Sequence, residues 1–171
     1  MADIDQFRRM DAAFRSGDLA ALRTAADSPG TIPNGPMPLT IGHCLEYAIY
    51  HSPLSFIREL LEIGAHPNPD DHAGFPPLVA ALWHSTRPDA LEVLELLISF
   101  GADPNQRGMN DYTPLHVAAE DGNREAVESL LSAGADPHLR TRIDDFETPL
   151  DLAQRAGHAE IAALLQLAMR G

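Results

Sequence analysis

The sequence predicts an all-α fold, a solenoid of short antiparallel helix pairs stacked in line. Three observations predict it. Residues 111–137, DYTPLHVAAEDGNREAVESLLSAGADP, hold two helix-length apolar patterns separated by a glycine-containing loop. The tetrapeptide Gly-Ala-Asp-Pro begins at Gly101 and again at Gly134, a spacing of 134 − 101 = 33 residues. The pattern that follows Thr113-Pro114 also returns after Thr148-Pro149. A period of about 33 residues marks a repeat array. The chain of 171 residues holds about five such units.

The helices follow from local chemistry. Thr113 is a good N-cap, and Pro114 suits the first helical position, where its missing N–H would have no partner. Leu115, Ala118 and Ala119 stand at i, i+3 and i+4 and share one face. Gly122 breaks this helix. A second helix is predicted over 125–132, with Val127, Leu130 and Leu131 in the same spacing, and Gly134 closes it. Pairs this short cannot bury their apolar faces alone, whereas stacked copies can.

The other units align on their Leu-Leu-x-x-Gly ends. One runs from Pro76-Pro77-Leu78 to LELLISFGADPN at 94–105, with three extra residues in WHSTRPD at 83–89. Another runs from His43 to Asn68, with Leu45 and Leu60 spaced as Leu115 and Leu130 are, and with Pro53 opening its second helix. The first, beginning FRRMDAAFRSGDLAALRTAAD at Phe7, lacks Thr-Pro and the final Leu-Leu but keeps a helix, Gly17 and a helix. Terminal units of a solenoid are expected to be atypical, because one side of each meets water. The expected units span 4–30, 39–68, 74–105, 111–138 and 146–170 of a single domain over 1–171.

Thr113-Pro114-Leu115-His116, Ala118-Ala119, Gly122, Leu130-Leu131 and Gly134-Ala135-Asp136 together resemble an ankyrin repeat. The resemblance covers residues 4–170, strongest in the fourth unit and weakest in the first. It implies an ankyrin-repeat solenoid: a curved stack with an inner and an outer row of helices and short hairpin-like finger loops. Glu46, Val79 and Asp151 stand where the motif has its histidine, so that residue's hydrogen bonds to the neighbouring loop are not assured in three units. The WHSTRPD insertion is expected to make the third unit locally irregular.

Composition narrows the function. Apolar content of 44% with 22% charged residues is that of a globular protein, and no run approaches the ~18 apolar residues of a membrane span. The start, MADIDQFRRMDAAF, lacks the apolar core of a signal peptide, so the cytoplasm is the expected compartment. Cys44, the single cysteine, cannot form an internal disulfide. The net charge of −13 argues against nucleic acid, whose phosphates need cationic side chains. All 12 basic residues are arginine, a bias that a GC-rich bacterial genome produces.

Chemistry-bearing residues are present without catalytic or metal-binding spacing. His43, Cys44 and His51, or Asp70, Asp71 and His72, supply ligand types, but no paired C-x-x-C or H-E-x-x-H occurs. No metal, cofactor or catalytic residue is expected. Cys44 occupies the motif proline position at a helix base and is read as buried and inert.

What the resemblance implies for partners is sharper, because relatives of this kind bind them on the fingers and on the exposed ends of the inner helices. The matching positions are Tyr50 and His51 in unit two and Asp70, His72, Ala73, Phe75, Trp83 and His84 in unit three. Unit four contributes Arg107, Met109, Asn110, Tyr112, Glu120 and Asp121. Unit five contributes Arg142, Asp144, Asp145 and Glu147 on its finger, with Arg155 and Ala156 after its inner helix. Tyr50, Trp83 and Tyr112 are expected to form an aromatic strip, although Trp83 tucked under the insertion and Tyr50 packed between units are also open. An acidic rim would suit a partner rich in Arg or Lys.

The expected function is therefore a monomeric, non-enzymatic protein–protein interaction module, without nucleic-acid or membrane partners. Two alternatives stand beside it. One is an inhibitor, antitoxin-like or immunity-like protein, or an accessory subunit of an enzyme. The other is a His-rich binder of a metal or small molecule.

Overall fold

The computed structural model describes residues 2–26, 29–35, 37, 42–69, 75–83, 87–142 and 146–170. Asp70, His72, Ala73, His84, Asp144 and Asp145, among the expected contact positions, lie outside these residues, as does the candidate ligand Asp71.

Capping sets the helix starts. Thr148 Oγ1 accepts the Asp151 N–H at 3.2 Å while the Asp151 carboxylate accepts the Thr148 N–H at 2.8 Å, a reciprocal capping box. Asp18 and Asn123 accept from the N–H of Ala21 and Ala126. Glycine sets several ends: Gly17, Gly64, Gly101, Gly134 and Gly157 follow helices with φ of 69° to 98°.

The resulting elements are α1 (Ala2–Ser16), α2 (Leu19–Ala25), α3 (Cys44–His51), α4 (Leu54–Glu62), α5 (Pro77–Leu82), α6 (Ala90–Ser99), α7 (Pro114–Glu120), α8 (Arg124–Ser132), α9 (Pro149–Ala156) and α10 (Ala159–Ala168). Each odd-numbered helix packs on the even-numbered helix after it. The odd helices also touch one another in chain order, α1 on α3 through to α7 on α9. The even ones do the same from α4 to α10. Two parallel rows result, and no strand occurs among the described residues. The core runs between them as one continuous cluster that includes Phe14, Phe56, Leu94, Leu115 and Leu165, which is how helices of two or three turns acquire a buried face.

Polar bonds fix the register between units. The Asn34 side chain donates to Gly64 O at 2.9 Å and accepts from His66 N at 2.8 Å. Asn68 repeats this on Gly101 O and Asp103 N at 2.8 and 2.7 Å, and Asn105 on Gly134 O and Asp136 N at 3.0 and 2.7 Å. Each amide thus ties one turn to the next by two bonds. Asn68→Ala is expected to cost about 1–2 kcal/mol in urea-induced unfolding, because both bonds go and two partners are left to water.

The insertion in unit three has a structural use. Arg87 donates to Ile49 O and Ser52 O at the C-terminal end of α3 while its guanidinium is held by Asp89 at 2.7 and 2.9 Å. A cation at a helix C-terminus meets the negative end of the helix dipole. The departure from repeat length thus brings an arginine that fastens unit three to unit two.

Candidate functional site

His116, on α7, shows how the motif works between units. Its Nδ1 accepts the Thr113 N–H at 3.1 Å, which leaves Nε2 to donate to Glu147 O of the next unit at 3.2 Å. Burial pushes this imidazole down to about 4, so it is neutral at pH 7. Glu46, at the matching place on α3, was not assured of such a bond and yet makes one. Its Oε1 accepts the Phe75 N–H at 3.0 Å. The neighbouring loop offers its amide instead of its carbonyl, so an acceptor replaces a donor. Burial lifts the Glu46 carboxyl above its ordinary value, against the Phe75 N–H and the charge of His43. Val79 has no polar group for this role, and Asp151 spends its carboxylate on its own helix start.

Phe75, Trp83 and Tyr112 stand together. Ring centroids lie 5.1 Å apart for Phe75–Trp83, 6.1 Å for Trp83–Tyr112 and 5.6 Å for Tyr112–His116. All three aromatic residues are half-buried and pack on the core, so Trp83 is both anchored and partly open. Tyr50 departs from the expected strip. It is 42% exposed and its ring contact among the described residues is with His51, at 6.2 Å. His51 faces the first unit instead, with its ring 4.4 Å from Tyr47, whose hydroxyl donates to Asp11 at 2.6 Å. Burial and Arg15 lower the His51 imidazole, with Asp11 opposing them.

A charged border adjoins the rings. Arg155 on α9 reaches Glu147 at 2.7 Å and Glu120 at 3.1 Å. Burial lifts the Tyr112 phenol above its ordinary value and Glu120 adds to this, while the neighbouring Arg155 opposes both. Asp121 is exposed beyond Glu120. His158 Nε2 meets Glu120 O at 3.1 Å, and its ring lies where a side chain on Gly122 would go.

The fingers are tight turns. Gly108 N donates to Tyr112 O at 2.8 Å, and Thr141 N to Glu147 O at 3.0 Å. Asn110, Asp111 and Phe146 hold positive φ of 57°, 64° and 57°, a conformation that costs free energy and collects at functional loops. Arg142 N donates to Asn110 O at 2.9 Å, and Arg107 reaches Arg140 O at 3.1 Å, so the fourth and fifth fingers are joined. Met109 stands 63% exposed at the tip.

Cys44 is fully buried and its thiol is pushed up to about 12 by that burial, which makes it a poor nucleophile. Among the described residues, no three of His, Cys, Asp and Glu stand together in a way that would hold a metal ion. No helix among them is long and apolar enough to cross a membrane.

Stacked helix pairs with a half-open ring cluster and charged fingers define a helical-repeat binding module. The family model for ankyrin repeats (three copies) matches residues 45–141 and 79–169. The chain belongs to the ankyrin repeat family, whose repeats are protein–protein interaction modules. It is 35% identical over 111 residues to cyclin-dependent kinase 4 inhibitor B of Bos taurus, covering 64% of this chain and 79% of that one. It is 36% identical over 116 residues to cyclin-dependent kinase inhibitor 2A of Homo sapiens, covering 67% and 70%. It is also 36% identical over 122 residues to tyrosine-protein kinase Shark of Drosophila melanogaster, but the match spans only 12% of that protein.

Arg155 and Ala156, expected after the inner helix, instead form the last turn of α9, and from there Arg155 bridges Glu120 and Glu147, a pairing that repeat spacing alone does not specify. The Asn ladder did have a signal, a Pro-Asn pair at 33–34, 67–68 and 104–105.

Proposed function

We propose that this chain binds a partner protein through the inner-helix face of units three and four, and catalyses nothing itself. Phe75, Trp83 and Tyr112 form the apolar centre, with Glu120, Glu147 and Arg155 as the border. The observation that carries the reading is the run of ring contacts from Phe75 through Trp83 to Tyr112, which crosses from one unit to the next and stays half-open. Aromatic anchors with a polar rim are the pattern of binding hot spots. The surplus of acid favours a partner presenting Arg or Lys, bound by a monomer in the cytoplasm. Met109 and Asn110 extend the surface along the finger.

The test is affinity capture followed by measured binding of the recovered protein to wild type, Trp83→Ala and Tyr112→Ala. Each substitution is expected to weaken binding by about tenfold or more, as loss of a central anchor does. Arg124→Ala, on the outer row, should bind as wild type does. Unchanged binding in folded Trp83→Ala removes this surface.

A second reading, an inhibitor of an enzyme, is favoured by the relatives named as cyclin-dependent kinase inhibitors, of which this chain spans 70–79%. Titration into cyclin-dependent kinase 4 is its direct assay, and inhibition that Trp83→Ala weakens would carry it.

A further inference from the structure

A cleft of about 340 Å³ opens where the starts of α3 and α5 meet the turns that close units one and two. Glu46, His43, His66, Leu45, Pro69 and Phe75 are among its walls. The volume lies at the lower end of small-molecule sites, about 300–1,000 Å³, and suits one side chain or one small molecule.

Glu46 is its unusual member. The residue is 8% exposed; Oε1 takes the Phe75 N–H, and Oε2 has no hydrogen-bond partner. A buried carboxylate oxygen without a donor is costly, and native structures keep few such groups without a reason. The sequence also reserves room for this oxygen. Gly42 lies beside it at φ 125°, and a Cβ there would collide with Oε2. A side chain at 42 would be strained by this φ and would push the carboxyl end aside.

We propose that this cleft is a binding site for a guanidinium group. The missing element is a donor, and about half of the remaining wall is apolar, the Phe75 ring included, beside the imidazoles of His43 and His66 and the amides of Asn34 and Asn68. A guanidinium is planar, weakly hydrated and rich in N–H groups, so it can bond a carboxylate while its faces lie on apolar surface. An ammonium is compact and strongly hydrated, and gives up more on entering. The net charge of −13 raises the local concentration of any cation. The guanidinium belongs either to an arginine of a protein partner or to a free guanidino compound. The site is distinct from the ring cluster and joined to it through Phe75, whose ring lies 5.1 Å from that of Trp83. As the only tryptophan, Trp83 is a built-in reporter.

The experiment titrates the isolated full chain with phenylguanidine, with acetyl-Gly-Arg-Gly-amide and with the matching citrulline peptide. Citrulline keeps the shape and removes the charge. Readouts are Trp83 fluorescence and the amide shifts of Glu46, His66 and Phe75. Saturable binding of the two guanidinium probes is expected, and none of the citrulline peptide. Glu46→Gln retains an acceptor for the Phe75 N–H and is expected to raise Kd by about tenfold or more, the effect of losing a charge-assisted bond. Tighter binding of the peptide names a partner's arginine as the source, and tighter binding of phenylguanidine names a free compound. Equal saturation by citrulline, or wild-type affinity in Glu46→Gln, overturns the site. The citrulline comparison uses wild type alone and decides the matter even where the variant fails to fold. Because no protein partner enters the titration, its outcome is scored separately from capture through Trp83.

Discussion

Phe56→Ala is expected to lower stability by about 3–5 kcal/mol in urea-induced unfolding, the cost of emptying a large aromatic site in a packed core. Phe56 is 1% exposed on α4, yet its nearest ring is Phe14 of α1, at 5.9 Å and edge-on. Its Cβ also lies 3.3 Å from where a side chain on Gly17 would begin. The ring therefore fills the seam between units one and two and not the interior of either. Neighbouring units relax little around such a seam, so most of the cavity should persist. Phe146→Ala, at a finger where the ring is 60% exposed, should change stability by no more than about 0.5 kcal/mol. Comparable losses at the two sites would show that Phe56 holds no seam.

Acid should release the same architecture at another seam. The His116 imidazole has its ordinary value near 6.5 when unfolded and about 4 when folded. Between these limits the unfolded chain holds the extra proton and the folded chain does not, so stability falls as pH drops. The contribution is intact above about 6.5 and lost by about 4, on the order of 3 kcal/mol in all. The cause is first burial, which disfavours the charged ring, with Arg107 adding to it against the Glu147 carbonyl; Nδ1 also accepts the Thr113 N–H and would face that donor with a proton of its own once charged. Glu46 has the opposite sign. Its raised carboxyl favours the protonated folded state, so its contribution is present below the ordinary carboxylate value and is lost as pH rises from there through the folded one. His116→Gln should flatten the acid limb of stability against pH, and an unchanged limb would assign the loss to other groups.

The helices were legible because their signals are local. Thr113-Pro114, Thr148-Pro149 and the glycines after several of the helices specify starts and ends within a few residues, and the Leu115, Ala118, Ala119 spacing specifies a face. Stacking order followed from the 33-residue spacing. The polar seams were less legible, since each depends on which partner the next unit presents. Glu46 lost the histidine and kept the bond, because a backbone loop has both an N–H and a carbonyl to offer. Tyr50 was aligned with the aromatic strip, but its direction on α3 brings it to His51, while Phe75 from the finger takes the place beside Trp83. Arg87 sits in a segment that breaks the repeat, so periodicity is silent about it.

Residue-resolved hydrogen exchange on full-length Phe56→Ala and His116→Ala tests most directly whether each unit stands by leaning on its neighbours. The stack expects mirror-image patterns. Phe56→Ala should lose protection mainly in α1 to α4, and His116→Ala mainly in α7 to α10, with the far end of each close to wild type. Protection that falls by one common factor along the whole chain in both variants would contradict a line of units joined pair by pair.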